Sequence, residues 1–133
     1  RGSVAVFRVG LGRFKDVNDT RGHAGGDRLR RDVAKRLAPE MSDGAILARF
    51  GGDEFAMYLP NVLDPAAIEA FAGNIIKVLK VPFDVDGLTL EVGGSIGYAI
   101  YPDDGETTDT LLQRADIAMY TAKRFQSGFS KYW

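Results

Sequence analysis

The residues with the types and spacing to do chemistry begin at Arg49-Phe50-Gly51-Gly52-Asp53-Glu54-Phe55, where two glycines and two carboxylates sit between apolar runs. Ala45-Ile46-Leu47-Ala48 leads in and Phe55-Ala56-Met57-Tyr58-Leu59 leads out, the pattern of a β-hairpin closed by a glycine turn. Gly51 and Gly52 bring backbone freedom, positive φ included, and leave main chain that no side chain shields from a second molecule. Adjacent strand residues point to opposite faces, so one of Asp53 and Glu54 is expected to face the turn's cleft and the other to point away. The same spacing also describes a solvated acidic tip, and the rest of the chain has to decide between the two.

Composition narrows the field. A chain of 133 residues, 45% apolar and 26% charged, has the size and balance of one soluble globular domain with a real core. A net charge of −1 argues against nucleic acid held by bulk charge. The local basic clusters Arg28-Leu29-Arg30-Arg31 and Lys35-Arg36 read as a solvated helix face. The absence of cysteine excludes disulfides and thiolate metal sites, and fits a cytoplasmic, reducing setting. No apolar run approaches a membrane span and no signal peptide is visible, so no membrane contact by this domain is expected. The chain opens on Arg1-Gly2-Ser3 and enters strand-like sequence at once, as a piece of a longer polypeptide would.

The elements that must position the hairpin follow from periodicity. Ser3 to Val9 is a short, mostly apolar, β-branched run, expected as a buried central strand that ends at Gly10-Leu11-Gly12. Leu29, Val33 and Leu37 mark one face of a helix that starts a turn or more before Asp27, with Asn18 and Asp19 as candidate caps, and stops near Pro39. Pro60 to Pro65 reads as a loop, and Ala66 to Leu79 as a second helix. Val81–Val85 and Leu88–Ile100 read as strands around the Asp86-Gly87 turn, the second with one packed and one wetter face. Pro102–Gly105 is a turn, Thr108–Lys123 a third helix, and the tail to Trp133 shows no period. The order βαββαββα predicts an α+β fold, a central, mostly antiparallel sheet with helices packed on it.

Five co-linear motifs then carry a resemblance over nearly the whole chain. Phe14-Lys15-x-x-Asn18-Asp19, Gly22-His23-x-x-Gly26-Asp27, Arg49 to Phe55, Ser95-Ile96-Gly97 with Tyr101-Pro102-x-Asp104-Gly105, and Ala115-Asp116-x-Ala118-Met119-Tyr120-x-Ala122-Lys123 together resemble the GGDEF domain of diguanylate cyclases. The resemblance implies a nucleotidyl-cyclase fold of the ferredoxin-like palm type, with residues 1–133 as a single GGDEF domain cut at its N-terminus from a longer bacterial signalling protein. It implies condensation of two GTP molecules to cyclic di-GMP by a transient homodimer, each domain holding one GTP. Two divalent ions, usually Mg²⁺, would spread the triphosphate charge, and hard cations are held by carboxylate oxygen.

By motif position, Asn18 and Asp27 resemble the pair that reads the guanine edge, an amide and a carboxylate being suited to its N–H donors. Gly51 and Gly52 resemble the turn that lies against the phosphates. Asp53 resembles the metal-binding acid, Glu54 the second acid of the motif, with catalysis assigned to the two together, and Lys123 a contact of the terminal phosphates. His23 reads as a structural residue of its turn.

The departures matter as much. The family's first strand ends in Asp-x-Asp, and those positions here are Gly10 and Gly12, so the partner carboxylate of Asp53 is missing. Mg²⁺ affinity is therefore expected to be weak or lost. Gln126-Ser127-Gly128 stands where the family usually has Gly-Arg-Asn, which removes a second anion contact. Ser42 and Ala45 stand at the places of an inhibitory Arg-x-x-Asp pair, so product inhibition there is not expected. Three functions follow: an impaired, GTP-binding regulatory module joined to an EAL phosphodiesterase or sensor domain, an active diguanylate cyclase, or a ligand-free dimerising domain.

Overall fold

A computed structural model of the chain describes residues 3–41, 44–62 and 64–133. Its elements run β1 (Ser3–Leu11), α1 (Phe14–Leu37), β2 (Ile46–Arg49), β3 (Glu54–Val62), α2 (Pro65–Lys80), β4 (Phe83–Val85), β5 (Leu88–Leu90), β6 (Gly94–Tyr101), α3 (Thr108–Phe125) and β7 (Phe129–Lys131), with a 3₁₀ turn at Ala38–Glu40 after α1. The expected α+β class holds. Five strands form one sheet in the order β2-β3-β1-β6-β7, antiparallel except for the β6–β7 pair, and β4 with β5 forms a separate ribbon.

The alternation of β1 sorts the helices. Ala5, Phe7, Val9 and Leu11 point into the larger core, where α1 supplies Leu29, Val33 and Leu37 and α2 supplies Ile68, Ile75 and Leu79. Val6 on the other face joins Ala99 and Leu111 under α3. Asp64 caps α2 through the Ala66 N–H, with Pro65 in the first turn, and Thr107 caps α3 through the Thr110 N–H. Burial raises the Tyr98 phenol above its ordinary value, and the charge of Glu69 adds to the effect, so this core residue stays neutral.

The structure departs from expectation at four places. The strand expected over Leu88–Ile100 is two strands in two sheets, broken at Gly93, whose φ of +66° no side-chain-bearing residue adopts easily. The face of β6 expected to be wetter is buried, because Gly97 and Ala99 lie under α3. Pro60 lies within β3 rather than in a loop: β2 stops opposite Tyr58, leaving that edge free, and the β1–β3 register shifts between Ser3 and Ala5. The tail forms β7, whose three residues are too few to show a period. The basic clusters are also not all solvated. Arg36 stacks 3.5 Å over the Phe83 ring and donates to the carbonyls of Val78, Val81 and Pro82 at the end of α2.

Gly97 is where α3 meets the sheet backbone. A Cβ there would overlap Met119 N and Ala115 O, both main-chain atoms that cannot swing away. We expect Gly97→Ala to lower the unfolding free energy in urea by about 3 kcal/mol. Gly73→Ala, on α2, would put its methyl 3.8 Å from the Phe129 ring and should raise it by up to about 1 kcal/mol through helix propensity.

Candidate functional site

The end of β1 lies between the hairpin and the start of β6. Gly10 is opposite Glu54 on one side and Ser95 on the other, and the Leu11 N–H donates to Asp53 O at 2.9 Å. With α3 these strands border a cleft of about 210 Å³ whose walls include Gly10, Gly12, Asp53, Glu54, Asp116 and Lys123. Asp53 and Glu54 both border this cleft. β3 begins only at Glu54, so Asp53 still belongs to the turn and escapes strand alternation. The turn's glycines also act differently from expectation. Neither Gly51 nor Gly52 has positive φ, and the Phe50 and Gly51 N–H groups close the turn onto Glu54 O at 3.1 and 3.2 Å. A Cβ at either glycine would meet nothing nearer than 3.9 Å, so what they provide is bare, accessible main chain.

The second part of the site comes from α1. Phe14 to Leu37 is helical, so Asn18 and Asp19 lie inside the helix and cap nothing; Arg13 holds the cap position. At Gly22 (φ 73°, ψ −176°) the helix kinks. Beyond it Gly26 faces Asn18 so closely that a Cβ would overlap Asn18 Oδ1. Asn18 thereby packs, across the kink, against the residue that precedes Asp27. Arg30 then ties Asp27 to the hairpin: its Nη1 donates to Asp27 Oδ1 at 2.7 Å and its Nε to Gly52 O at 2.8 Å, while its guanidinium lies 5.1 Å from the Phe14 ring centroid. His23 is exposed beside the kink.

Glu54 has a partner in Arg8. Arg8 Nη2 pairs with Glu54 Oε1 and lies 3.8 Å from Asp116 Oδ1, and the guanidinium is 4.2 Å from the Phe50 ring centroid. Asp53 is exposed at the rim, and Lys123 is exposed where this cleft joins a larger one running to Gln126 and Gly128. Among the described residues no three His, Cys, Asp or Glu side chains converge as a metal-holding group. With glycine at positions 10 and 12 and Glu54 already paired, the donor set does not fit a pair of hard dications, which require several oxygen ligands each. Restoring a carboxylate meets unequal space. A Cβ at Gly10 would lie 3.2 Å from the mobile sulfur of Met119, whereas one at Gly12 would lie 2.9 Å from Val92 O. Ser42 lies outside the described residues.

Two residues went unnoticed in the sequence. Arg30 was hidden in a basic run whose default reading is solvent. Arg8 carried a usable signal, because a charge inside a central-strand run must find a partner.

Fold and site together define a nucleotide-cyclase-like palm with a glycine hairpin at its mouth. The family model described as "Diguanylate cyclase, GGDEF domain" matches residues 1–128. The chain is 39% identical over 129 residues to the diguanylate cyclase TpbB of Pseudomonas aeruginosa, covering 96% of this chain and 30% of the relative. It is 38% identical over 120 residues to the cyclic di-GMP phosphodiesterase PdeR of Escherichia coli, covering 90% of this chain and 18% of that one. A solved EAL/GGDEF domain protein from M. capsulatus superposes with a TM-score of 0.92 at 35% identity, over 99% of this chain and 86% of its own. The chain belongs to the GGDEF family. It spans less than a third of the length of these two curated relatives. Among the described residues no helix is long and apolar enough to cross a membrane.

Arg30→Met should free Asp27 and the turn together. The expected loss is about 1 kcal/mol of stability, with faster amide hydrogen exchange at Gly51 and Gly52 than in the unchanged protein. Unaltered exchange there would show that the Arg30 bridge does not hold the turn.

Proposed function

We propose that this GGDEF domain is a GTP-binding regulatory module with impaired turnover, joined in its parent protein to other signalling domains such as an EAL phosphodiesterase. One observation carries the reading: Arg30 links Asp27 to the bare Gly51-Gly52 turn, with Asn18 against Gly26 next to Asp27, while the strand end that borders the cleft with Asp53 and Glu54 has glycine at positions 10 and 12. An amide and a carboxylate suit the guanine edge, and unshielded main chain with Lys123 nearby suits phosphates. Turnover would need charge stabilisation at the reacting phosphate, and the carboxylates that would organise it at positions 10 and 12 are missing. The resemblance to a relative named as a phosphodiesterase and to a solved EAL/GGDEF protein supports the regulatory setting. The intact Gly51 to Phe55 motif supports the second reading, an active cyclase in which two copies face each other.

With GTP and Mg²⁺ or Mn²⁺ the purified domain should form cyclic di-GMP at least about 10²–10³-fold more slowly than an intact cyclase. Product at ordinary enzyme rates would establish the active reading instead. In calorimetry GTP should bind, and Asn18→Ala and Asp27→Ala should each weaken it about tenfold. No heat from the unchanged domain at high GTP would leave a ligand-free dimerising role.

A further inference from the structure

Arg8 lies in β1, the central strand of the sheet, with β3 and β6 on either side. A guanidinium there is costly unless its charge and donors are met. Its side chain is 15% exposed, and nearly all of it is spent inside the cleft wall. Nη2 pairs with Glu54 and approaches Asp116, Nη1 donates to Leu112 O at 3.4 Å, and the plane stacks on Phe50, while Nε is buried without a partner. Gly10, two residues along the strand and on the same face, offers no carboxylate. Two acids that border the cleft, Glu54 and Asp116, are therefore gathered around one fixed positive charge behind its wall, and no acid stands at position 10. A dication entering this space would have to take Glu54 from Arg8 and then remain beside the displaced guanidinium, and both steps oppose binding.

We propose that the Arg8 guanidinium is a built-in cation that takes the place of a divalent metal in the charge balance of this cleft, so that a nucleotide polyphosphate binds without metal. Arg8 already neutralises Glu54, which would otherwise repel the phosphates, and the exposed Lys123 at the cleft border and the exposed Gly51-Gly52 turn are accessible to them. The nucleotide part of the inference rests on the GTP-binding reading above. The exclusion of metal by Arg8 does not.

Binding of Mn²⁺ alone, followed by electron paramagnetic resonance, tests the exclusion in the unchanged domain, Gly10→Asp, Arg8→Met and Arg8→Met with Gly10→Asp. Only the double variant should bind Mn²⁺ appreciably, at least about tenfold more tightly than Gly10→Asp, because changes around a metal site shift affinity by about 10–100-fold. Equal binding by Gly10→Asp and the double variant, or none by a folded double variant, would overturn the proposal. Thermal melts establish folding. Calorimetry of the unchanged domain with GTP, in Mg²⁺ and in EDTA, provides the second measurement. Affinities within about threefold of each other support the proposal, and binding that needs Mg²⁺ overturns it. If GTP binds in neither buffer the nucleotide reading falls, and the Mn²⁺ comparison of Gly10→Asp with the folded double variant still decides the exclusion by the criteria above.

Discussion

The pairing of β1 with β3 on one edge and β6 on the other is the constraint on which the rest of this domain depends. It buries Ala5, Phe7, Val9 and Leu11 against α1 and α2, and the same alternation turns Val6, Arg8 and Gly10 toward α3. A slip of one residue would exchange the two sets, placing a guanidinium in the larger core and phenylalanine in the cleft. The register is held because Gly10 meets Glu54 and Ser95 in one row and Leu11 N–H reaches past the strand to Asp53 O. Core and cleft are two faces of one strand, so the position of the hairpin acids follows from hydrophobic burial on the opposite side.

Close backbone approach is the second requirement. Beyond Leu111, α3 buries small residues against the sheet, Ala115, Ala118 and Ala122, and Gly97 receives the helix backbone. That intimacy carries Asp116, Met119 and Lys123 to the cleft border, since they share the same turns of the helix. On the other side of the hairpin Arg30 does a comparable job by hydrogen bonds rather than by packing. The cleft mouth is thus braced by apolar contact at α3 and by a charged bridge at α1.

Much of this was legible in the sequence where one residue type has one strong physical meaning. Apolar periodicity located the three helices and the central strand, and the glycine hairpin appeared where its flanking runs required. Chain breaks inside continuous apolar pattern were not legible, as at Gly93, because Leu88 to Ile100 keeps period two straight through a change of sheet. Nor was it legible that the glycines of the turn serve by absence of bulk, since φ is a property of the folded loop. The site residues that went unseen, Arg8 and Arg30, both act through partners distant in sequence: Glu54 is 46 residues from Arg8 and Gly52 is 22 from Arg30. Local pattern carries no information about such pairs.

Charge accounting gives the departures a common logic. Glycine at position 10 leaves the half-buried Glu54 without a neighbouring acid to share a metal, and a partly desolvated carboxylate favours a counterion. Arg8 supplies one from within the strand, its guanidinium lying over the Phe50 ring while it pairs with Glu54. Once that pair exists, a carboxylate placed at position 10 would find a guanidinium already beside it on the same strand face, and the arginine would compete with any metal for it. The loss of one acid and the presence of one base are therefore mutually reinforcing: each removes the pressure that would restore the other. Asp27 and the Gly51-Gly52 turn lie outside this exchange, tied to Arg30 instead of Arg8. The residues held by Arg30 and those held by Arg8 are separate sets, so one can change while the other is preserved.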